Sequence, residues 1–305
     1  MSGRDGVRAQ QVSGSIGIAG AGRVAQALGR LLQEQGEPVA VVASRDPAHA
    51  AAAAQFVGGH AQPVAFAELP ARAGRIIIAV SDNAITQVAH ILAENGMRQG
   101  IALHTCGALG LEALSPLAEA GVSCGVLHPL QTVAAPEQGI AAIPGCAFAI
   151  DGDPEAVAWA ERIAGLLGGG ILRIPPEKKV FYHAAAVMVS NYVAGLAEAA
   201  VMLMGAAGLD EETALRAIGP LLKASALNTA TLGPAAALTG PIQRGDIATM
   251  AAHLEALERA PQAVRDLYRA AGLQVLALAR RRGLDEMEAR RIERLLRRAA
   301  KDQDV

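Results

Sequence analysis

Gly17-Ile18-Ala19-Gly20-Ala21-Gly22-Arg23-Val24-Ala25 is the stretch whose reading decides the fold. It continues a short apolar run from Ser15 and opens a longer apolar-periodic segment, so a strand, a glycine turn and a helix N-terminus follow one another. Gly20, Gly22 and Ala25 form G-x-G-x-x-A. In that pattern the first glycine permits the tight turn, the second lets a pyrophosphate approach the backbone, and the small third residue lets the helix pack close to the strand. The helix then offers unpaired N–H groups to a phosphate. Gly20, Ala21, Gly22, Arg23 and Val24 are therefore the expected cofactor-binding turn.

Outward from this turn, apolar runs alternate with helical stretches: Ser15 to Ala19, Pro38 to Ala43, Arg75 to Val80, Ile101 to His104, Ser123 to Leu127, Cys146 to Ile150 and Gly170 to Ile174. Such alternation predicts βαβ units and a mostly parallel sheet. After Pro175-Pro176 the strand signals cease, and nearly everything to Arg298 reads as helix, with breaks at Gly205 to Gly208, Gly219-Pro220, Gly233 to Gly245 and Gly283. The expected fold is α/β. A doubly wound N-terminal Rossmann domain with a mostly parallel sheet occupies 14–174, an all-α substrate and dimerisation domain occupies 175–305, and 1–13 form a flexible tail.

The bulk composition narrows the function classes. At 305 residues, 52% hydrophobic and 18% charged, the chain suits two domains with buried cores. A net charge of -2 with one Trp, three Tyr and four Phe gives neither a basic field nor a stacking platform for nucleic acid. The basic stretch from Arg280 to Arg298 is interleaved with Asp285, Glu286, Glu288 and Glu293, the pattern of a solvated helix face. Three cysteines without metal-type spacing suit a reducing cytosol, and the first 13 residues lack the apolar core of a signal peptide. Ala184 to Met204 is long enough to span a membrane, but Ser190, Asn191, Tyr192 and Glu198 interrupt it. It is expected to be a buried helix, so the chain is expected to be cytoplasmic with no membrane partner.

The end of the second strand chooses between nicotinamide cofactors. An acidic residue there bonds a ribose 2′-hydroxyl, whereas an arginine accommodates a 2′-phosphate. Ser44-Arg45 stands at that position, which predicts NADP(H). Val80-Ser81-Asp82-Asn83 closes the Arg75 run and is expected against the ribose, with Ser81 or Asp82 also able to cap the following helix.

Polar clusters then suggest the chemistry. His104-Thr105-Cys106-Gly107 and His128-Pro129-Leu130-Gln131-Thr132 end two strands, and in such a sheet both aim at the crevice. His128 suits a hydrogen-bond donor or acid/base, and Thr105 a substrate contact. Lys179, His183 and Ser190 share a helical face, with Asn191 adjacent, so Lys179 and His183 are expected beside a cleft, since burying both without partners is costly. Lys179 is the expected proton donor or oxyanion stabiliser. In Thr239-Gly-Pro-Ile-Gln-Arg244-Gly-Asp246, the guanidinium suits a carboxylate or phosphate of the substrate, and Asp246 is either a second substrate contact or a helix cap.

Taken together, H-x-C-G at His104 to Gly107, H-P-L-Q at His128 to Gln131, K-x-x-Y-H-A-A at Lys179 to Ala185, Ser190-Asn191 and T-G-P-x-x-R-G-D at Thr239 to Asp246 resemble the bacterial proteins that join a Rossmann-like domain to the domain of unknown function 2520. The family usually shows Ser where this chain has Cys106. It resembles a branch of the 6-phosphogluconate dehydrogenase-like superfamily, often labelled deazaflavin-dependent NADP oxidoreductase. The resemblance implies NADP(H), a small-molecule substrate and a homodimer. Ketopantoate reductases and β-hydroxyacid dehydrogenases of that superfamily carry a Lys at the start of the corresponding long helix, as Lys179 does, followed by Asn where this chain has His183. The expected function is hydride transfer to or from a small carbonyl or imine, ketopantoate-like compounds included. Two alternatives stay open: a sensor or scaffold that holds NADP(H) without turnover, and an enzyme like the prephenate dehydrogenases, whose His-Pro turn His128-Pro129 resembles.

Overall fold

The computed structural model describes residues 14–297, and the tail expected over 1–13 lies outside them. The chain forms two compact units, one ending at Val187 and the other beginning at Met188. That division falls one helix beyond Pro175-Pro176.

The first unit is built on β1 (Ile16–Ala19), α1 (Arg23–Glu34), β2 (Val39–Ala43), α2 (Pro47–Val57), β3 (Gln62–Val64), β4 (Arg75–Ile78), α3 (Ile85–Glu94), β5 (Ile101–His104), α4 (Ser115–Glu119), β6 (Ser123–Pro129), α5 (Pro136–Ala142), β7 (Ala147–Gly152), α6 (Pro154–Leu166), β8 (Gly170–Leu172) and α7 (Lys179–Val189). Its strands form one sheet in the order β3-β2-β1-β4-β5-β6-β7-β8. Every pairing is parallel except β6 with β7, where His128 lies opposite Ala149 and Val126 opposite Asp151. Interior strands covered on both faces need continuous apolar runs, and Ile76-Ile77-Ile78 of β4 is fully buried. On one face Leu28 and Leu32 of α1 pack with Phe148, Trp159 and Ile163. On the other, Leu69, Ile85, Leu92, Leu114 and Leu117 do the same.

The expected fold class, a mostly parallel doubly wound sheet followed by helices, is what the chain adopts. Seven apolar runs were expected as strands, and β3 is an eighth. Gln62-Pro63-Val64 has no apolar run because it is an edge strand, paired only to β2 with Gln62 and Pro63 exposed. An edge is also where a proline, which cannot donate to a ladder, is tolerated.

The second unit comprises α8 (Asn191–Ala206), α9 (Glu211–Leu232), α10 (Pro234–Ala237), α11 (Ile247–Leu257), α12 (Gln262–Arg281) and α13 (Glu286–Arg297). Ile242, Met250, Leu276, Ile292 and Leu296 form its core. The basic stretch at its end is a solvated face, where Arg280 pairs with Glu286 and Glu293, and Arg290 with Glu286.

Three expectations about these helices need correction. Gly219-Pro220 does not break α9, which runs through it; a proline removes one backbone donor, and the remaining turns carry the helix. Ser190 is not on a continuous helix with Lys179. Its backbone, at φ -119° and ψ -79°, interrupts the path between α7 and α8, so helical periodicity does not return Ser190 to the face of Lys179 and His183. Finally, Ala184 to Met204, expected to be a buried helix, is not buried. The stretch Pro176–Ala206 that contains it is long and apolar enough to cross a membrane by length and composition, and its apolar window has no buried share. Phe181 is 74% and Val189 77% exposed, because none of the described elements covers this surface.

Candidate active site

The order of the strands reverses between β1 and β4, and a doubly wound sheet opens a crevice there, at the carboxyl ends of its strands. A cleft of about 800 Å³ lies at this place. It is lined by Gly20, Ala21, Gly22, Arg23 and Val24 from the glycine turn, Ser44 and Arg45 from the end of β2, Val80, Ser81 and Asp82 after β4, and Thr105 after β5. All ten residues expected at the cofactor thus share one wall system. Gly20 has φ +136°, and a Cβ there would meet the Ala79 carbonyl oxygen at 2.2 Å, so no other residue fits the turn.

The cleft passes a direct test of fit to a dinucleotide. Gly22 stands at the N-cap of α1, no side chain caps that helix, and its first turn holds no acidic residue. A Cβ on Gly22 would meet nothing within 4 Å, so the uncapped N–H groups face open space with a net positive end. Arg23 and Arg45 are both exposed there, and a carboxylate in the position that selects a 2′-hydroxyl is replaced by Ser44-Arg45. Asp46 instead caps α2, its Oδ1 accepting from the Ala48 N–H at 2.8 Å. His49 also lines the cleft, with Nδ1 3.6 Å from Asp46 Oδ2. It was not anticipated, although it follows Arg45 by one helical turn. Neither Ser81 nor Asp82 caps a helix through its side chain; Ser81 Oγ bonds Asn83 Oδ1 at 2.8 Å instead.

A second cluster gathers where β5, β6, β7 and α7 meet. A small pocket of about 10 Å³ is walled by Cys106, Gly107, His128, Asp151, Lys179 and Tyr182, among others. Lys179 is 6% exposed and its Nζ lies 3.0 Å from Asp151 Oδ2. The charge is matched, yet among the described residues Nζ meets no acceptor in good hydrogen-bond alignment. Lys179, expected beside a cleft, is instead buried against Asp151, a residue that sequence reasoning passed over. Asp151-Gly152-Asp153-Pro154 reads as a turn into α6, and only the antiparallel course of β7 brings that carboxylate beside β6.

His128 is packed on two sides. A Cβ on Gly107 would lie 2.7 Å from its ring, and Tyr182 meets it edge-on with ring centroids 5.6 Å apart. His128 Nδ1 is 2.8 Å from the Tyr182 hydroxyl. Burial first, then the nearby His183, lowers His128 to about 4, so its imidazole is neutral near neutral pH. Burial raises Tyr182 to about 12, so the phenol keeps its proton. His183 is half-buried, and its Nδ1 is buried without a hydrogen-bond partner among the described residues.

His104 has a structural task. It is fully buried, its Nε2 pairs with the Gly110 carbonyl at 3.0 Å, and its Nδ1 accepts from the Cys106 N–H at 3.2 Å. Burial above all holds it at about 4. Cys106 is buried, accepts the Ala108 N–H at 3.3 Å, and has its thiol pushed up by burial. A thiol held in that way is a poor nucleophile.

The remaining expected substrate residues belong to the second unit. Ser190 Oγ bonds Asn191 Oδ1 at 2.9 Å. Asp246 caps α11, accepting from the Thr249 N–H at 3.0 Å and from its hydroxyl at 2.7 Å. Those bonds, aided by Arg244, hold its carboxyl below the usual range, which fits the capping alternative. Arg244 is exposed.

Comparison with known proteins agrees with this architecture. The chain is similar to a provisional NADP oxidoreductase of Bacteroides fragilis, at 25% identity and a TM-score of 0.70, over 88% of this chain and 98% of that one. It is similar to protein TM1727 of Thermotoga maritima, at 24% identity and a TM-score of 0.68, over 88% and 99% of the two chains. It also resembles the pyrroline carboxylate reductase of Plasmodium falciparum, solved with NADP bound, at 12% identity and a TM-score of 0.58, over 93% and 99%. The last two likenesses speak to the fold alone. No curated protein sequence matches the chain. Residues 2–129 match the Rossmann-like domain and residues 146–275 match the domain of unknown function DUF2520. With most of its length matched in that order, the chain belongs to the family that joins a Rossmann-like domain to a DUF2520 domain.

Proposed function

We propose that this protein is an NADP(H)-dependent oxidoreductase acting on a small carbonyl or imine compound. The observation that carries the reading is the pairing of two features in one unit: an uncapped glycine-turn cleft edged by Arg23, Ser44 and Arg45, and a desolvated Lys179–His128 cluster at the ends of β5 and β6. The bound cofactor would supply or accept the hydride. Gly20 to Val24 hold its pyrophosphate, Ser44 and Arg45 take the 2′-phosphate, and Ser81 and Asp82 flank the ribose. Lys179, paired with Asp151, stabilises the developing negative charge on the substrate oxygen or donates its proton to it. His128, neutral and donor-competent, orients the same atom, with His183 beside it. Similarity to a provisional NADP oxidoreductase supports the activity class.

The exposed apolar surfaces support a homodimer in solution. Val180, Phe181, Met188 and Val189 on α7, and Leu221, Leu227 and Leu232 on α9, are each more than half exposed; an apolar surface of that extent marks an interaction site. Three free thiols, two of them buried, suit a reducing, cytoplasmic setting.

The test is a turnover screen of the purified protein with NADPH against cyclic imines, small ketones and 2-oxo acids, read by nicotinamide absorbance. Turnover of at least one class is expected. Lys179→Met should lower it by about two orders of magnitude or more while NADPH binding persists. No turnover of any class, or an unaffected Lys179→Met variant, would overturn the assignment.

A further inference from the structure

The Tyr182 hydroxyl has one described partner, His128 Nδ1 at 2.8 Å. A neutral imidazole carries one donor nitrogen and one acceptor nitrogen, and the partner of either one fixes the other. A phenol is a good donor and a weak acceptor, and an imidazole nitrogen is a strong acceptor, so the favoured direction runs from Tyr182 O–H to Nδ1. The proton of His128 then resides on Nε2. Gly107 lies against the imidazole and would collide with it if it bore a Cβ, so the ring is held between that backbone and Tyr182, and the bond also fixes its orientation. Tyr182 stands three residues after Lys179 on α7, a spacing that sets both side chains on one helix face. One helix therefore delivers the cation and the group that orients the imidazole.

We propose that Tyr182 is a positioning residue for His128: its hydroxyl holds the proton on Nε2 and so makes Nε2–H the donor offered to the substrate's reacting oxygen or nitrogen. The inference rests on the oxidoreductase reading for its purpose, but the tautomer itself is independent of turnover. No electron or bond in the substrate is changed by this step; it sets which ring nitrogen donates.

Long-range proton–nitrogen correlation spectra of the full chain, labelled with nitrogen-15 histidine, read the tautomer directly, with His128→Gln identifying the resonance. At neutral pH the native protein should show Nδ1 as the unprotonated nitrogen and Nε2 as the protonated one. In Tyr182→Phe the two nitrogens should move toward averaged values as both tautomers become populated. On whichever substrate the screen identifies, Tyr182→Phe should lower kcat about tenfold, the loss of one ordinary hydrogen bond, with KM for NADPH unchanged. A native His128 protonated on Nδ1 overturns the proposal even if Tyr182→Phe does not fold, and so does a tautomer unaffected by the substitution. A protein that turns over nothing, yet shows the expected tautomer and its change, keeps this inference and sinks the oxidoreductase reading instead.

Discussion

Replacing Asp151 by Asn removes the charge that faces Lys179 and leaves the shape of the site in place. The Lys179 side chain is 8% exposed, that of Asp151 32%, and the charged atoms are 3.0 Å apart. At an effective dielectric of about 20 their attraction is about 5 kcal/mol, and breaking a buried pair by removing one partner costs about 3–5 kcal/mol. Solvent reaches a third of Asp151, so about 2–3 kcal/mol is the expected loss. For a unit of this size that corresponds to a melting midpoint lower by about 4–12 °C. Adding Lys179→Met removes the stranded ammonium and substitutes an apolar side chain of similar length, so the double variant should recover most of the loss. Circular-dichroism melts of the native protein, both single variants and the double form a cycle whose coupling should exceed about 1 kcal/mol. A melt of Asp151→Asn within about 1 °C of native, or a double variant no more stable than Asp151→Asn, would refute the claim that this pair offsets the burial of Lys179.

Two further outcomes follow from groups away from the ion pair. Burial holds His104 at about 4 against an ordinary value of 6.5. Between those values the unfolded chain binds more protons than the folded one, so stability is full above about pH 6.5 and is lost as pH falls toward 4. Urea titrations should find the protein less stable at about pH 5 than at about pH 7.5, by about 2 kcal/mol from His104 alone, and a His104→Asn variant should have a flatter profile; equal slopes in both would contradict the assignment. The exposed leucines of α9 make the second case. Light scattering should report a dimer for the native protein and a monomer for Leu221→Glu/Leu227→Glu, and a native monomer would remove the homodimer from the account.

Local chemistry made the first unit legible from Gly17 to Ala25, because a tight turn, a close phosphate approach and a helix start each demand a particular residue type. The apolar runs of β1, β2, β4, β5 and β6 were legible for a similar reason: strands buried on both faces leave no room for polar residues. Edge strand β3, exposed on one side, carries no such signature. The domain limits are blurred by the topology itself. The DUF2520 match begins at Cys146, yet β7 and β8 complete the sheet of the first unit, and the compact unit ends only at Val187, within α7.

At the candidate site, strand-end residues such as Ser44, Arg45, Ser81 and Thr105 could be anticipated, since a parallel sheet sends them all to one rim. Asp151 could not, because β7 runs the other way and its carboxylate resembles part of a turn. Tyr182 was visible only as a letter in a motif; its role depends on an edge-on contact across more than fifty residues of chain. The reading of Ala184 to Met204 as buried failed because an all-round apolar helix needs a cover, and the sequence of one chain does not say whether that cover is its own fold or another surface.

The central claim is most directly tested by equilibrium binding of NADPH and NADH to the purified protein and to its Arg45→Ala variant. The account predicts tighter binding of NADPH, by about 2 kcal/mol or about thirtyfold, as expected for a charge-assisted contact to the 2′-phosphate, with the preference erased in Arg45→Ala. Failure of the native protein to bind either nucleotide, or a preference for NADPH that survives in Arg45→Ala, would contradict it.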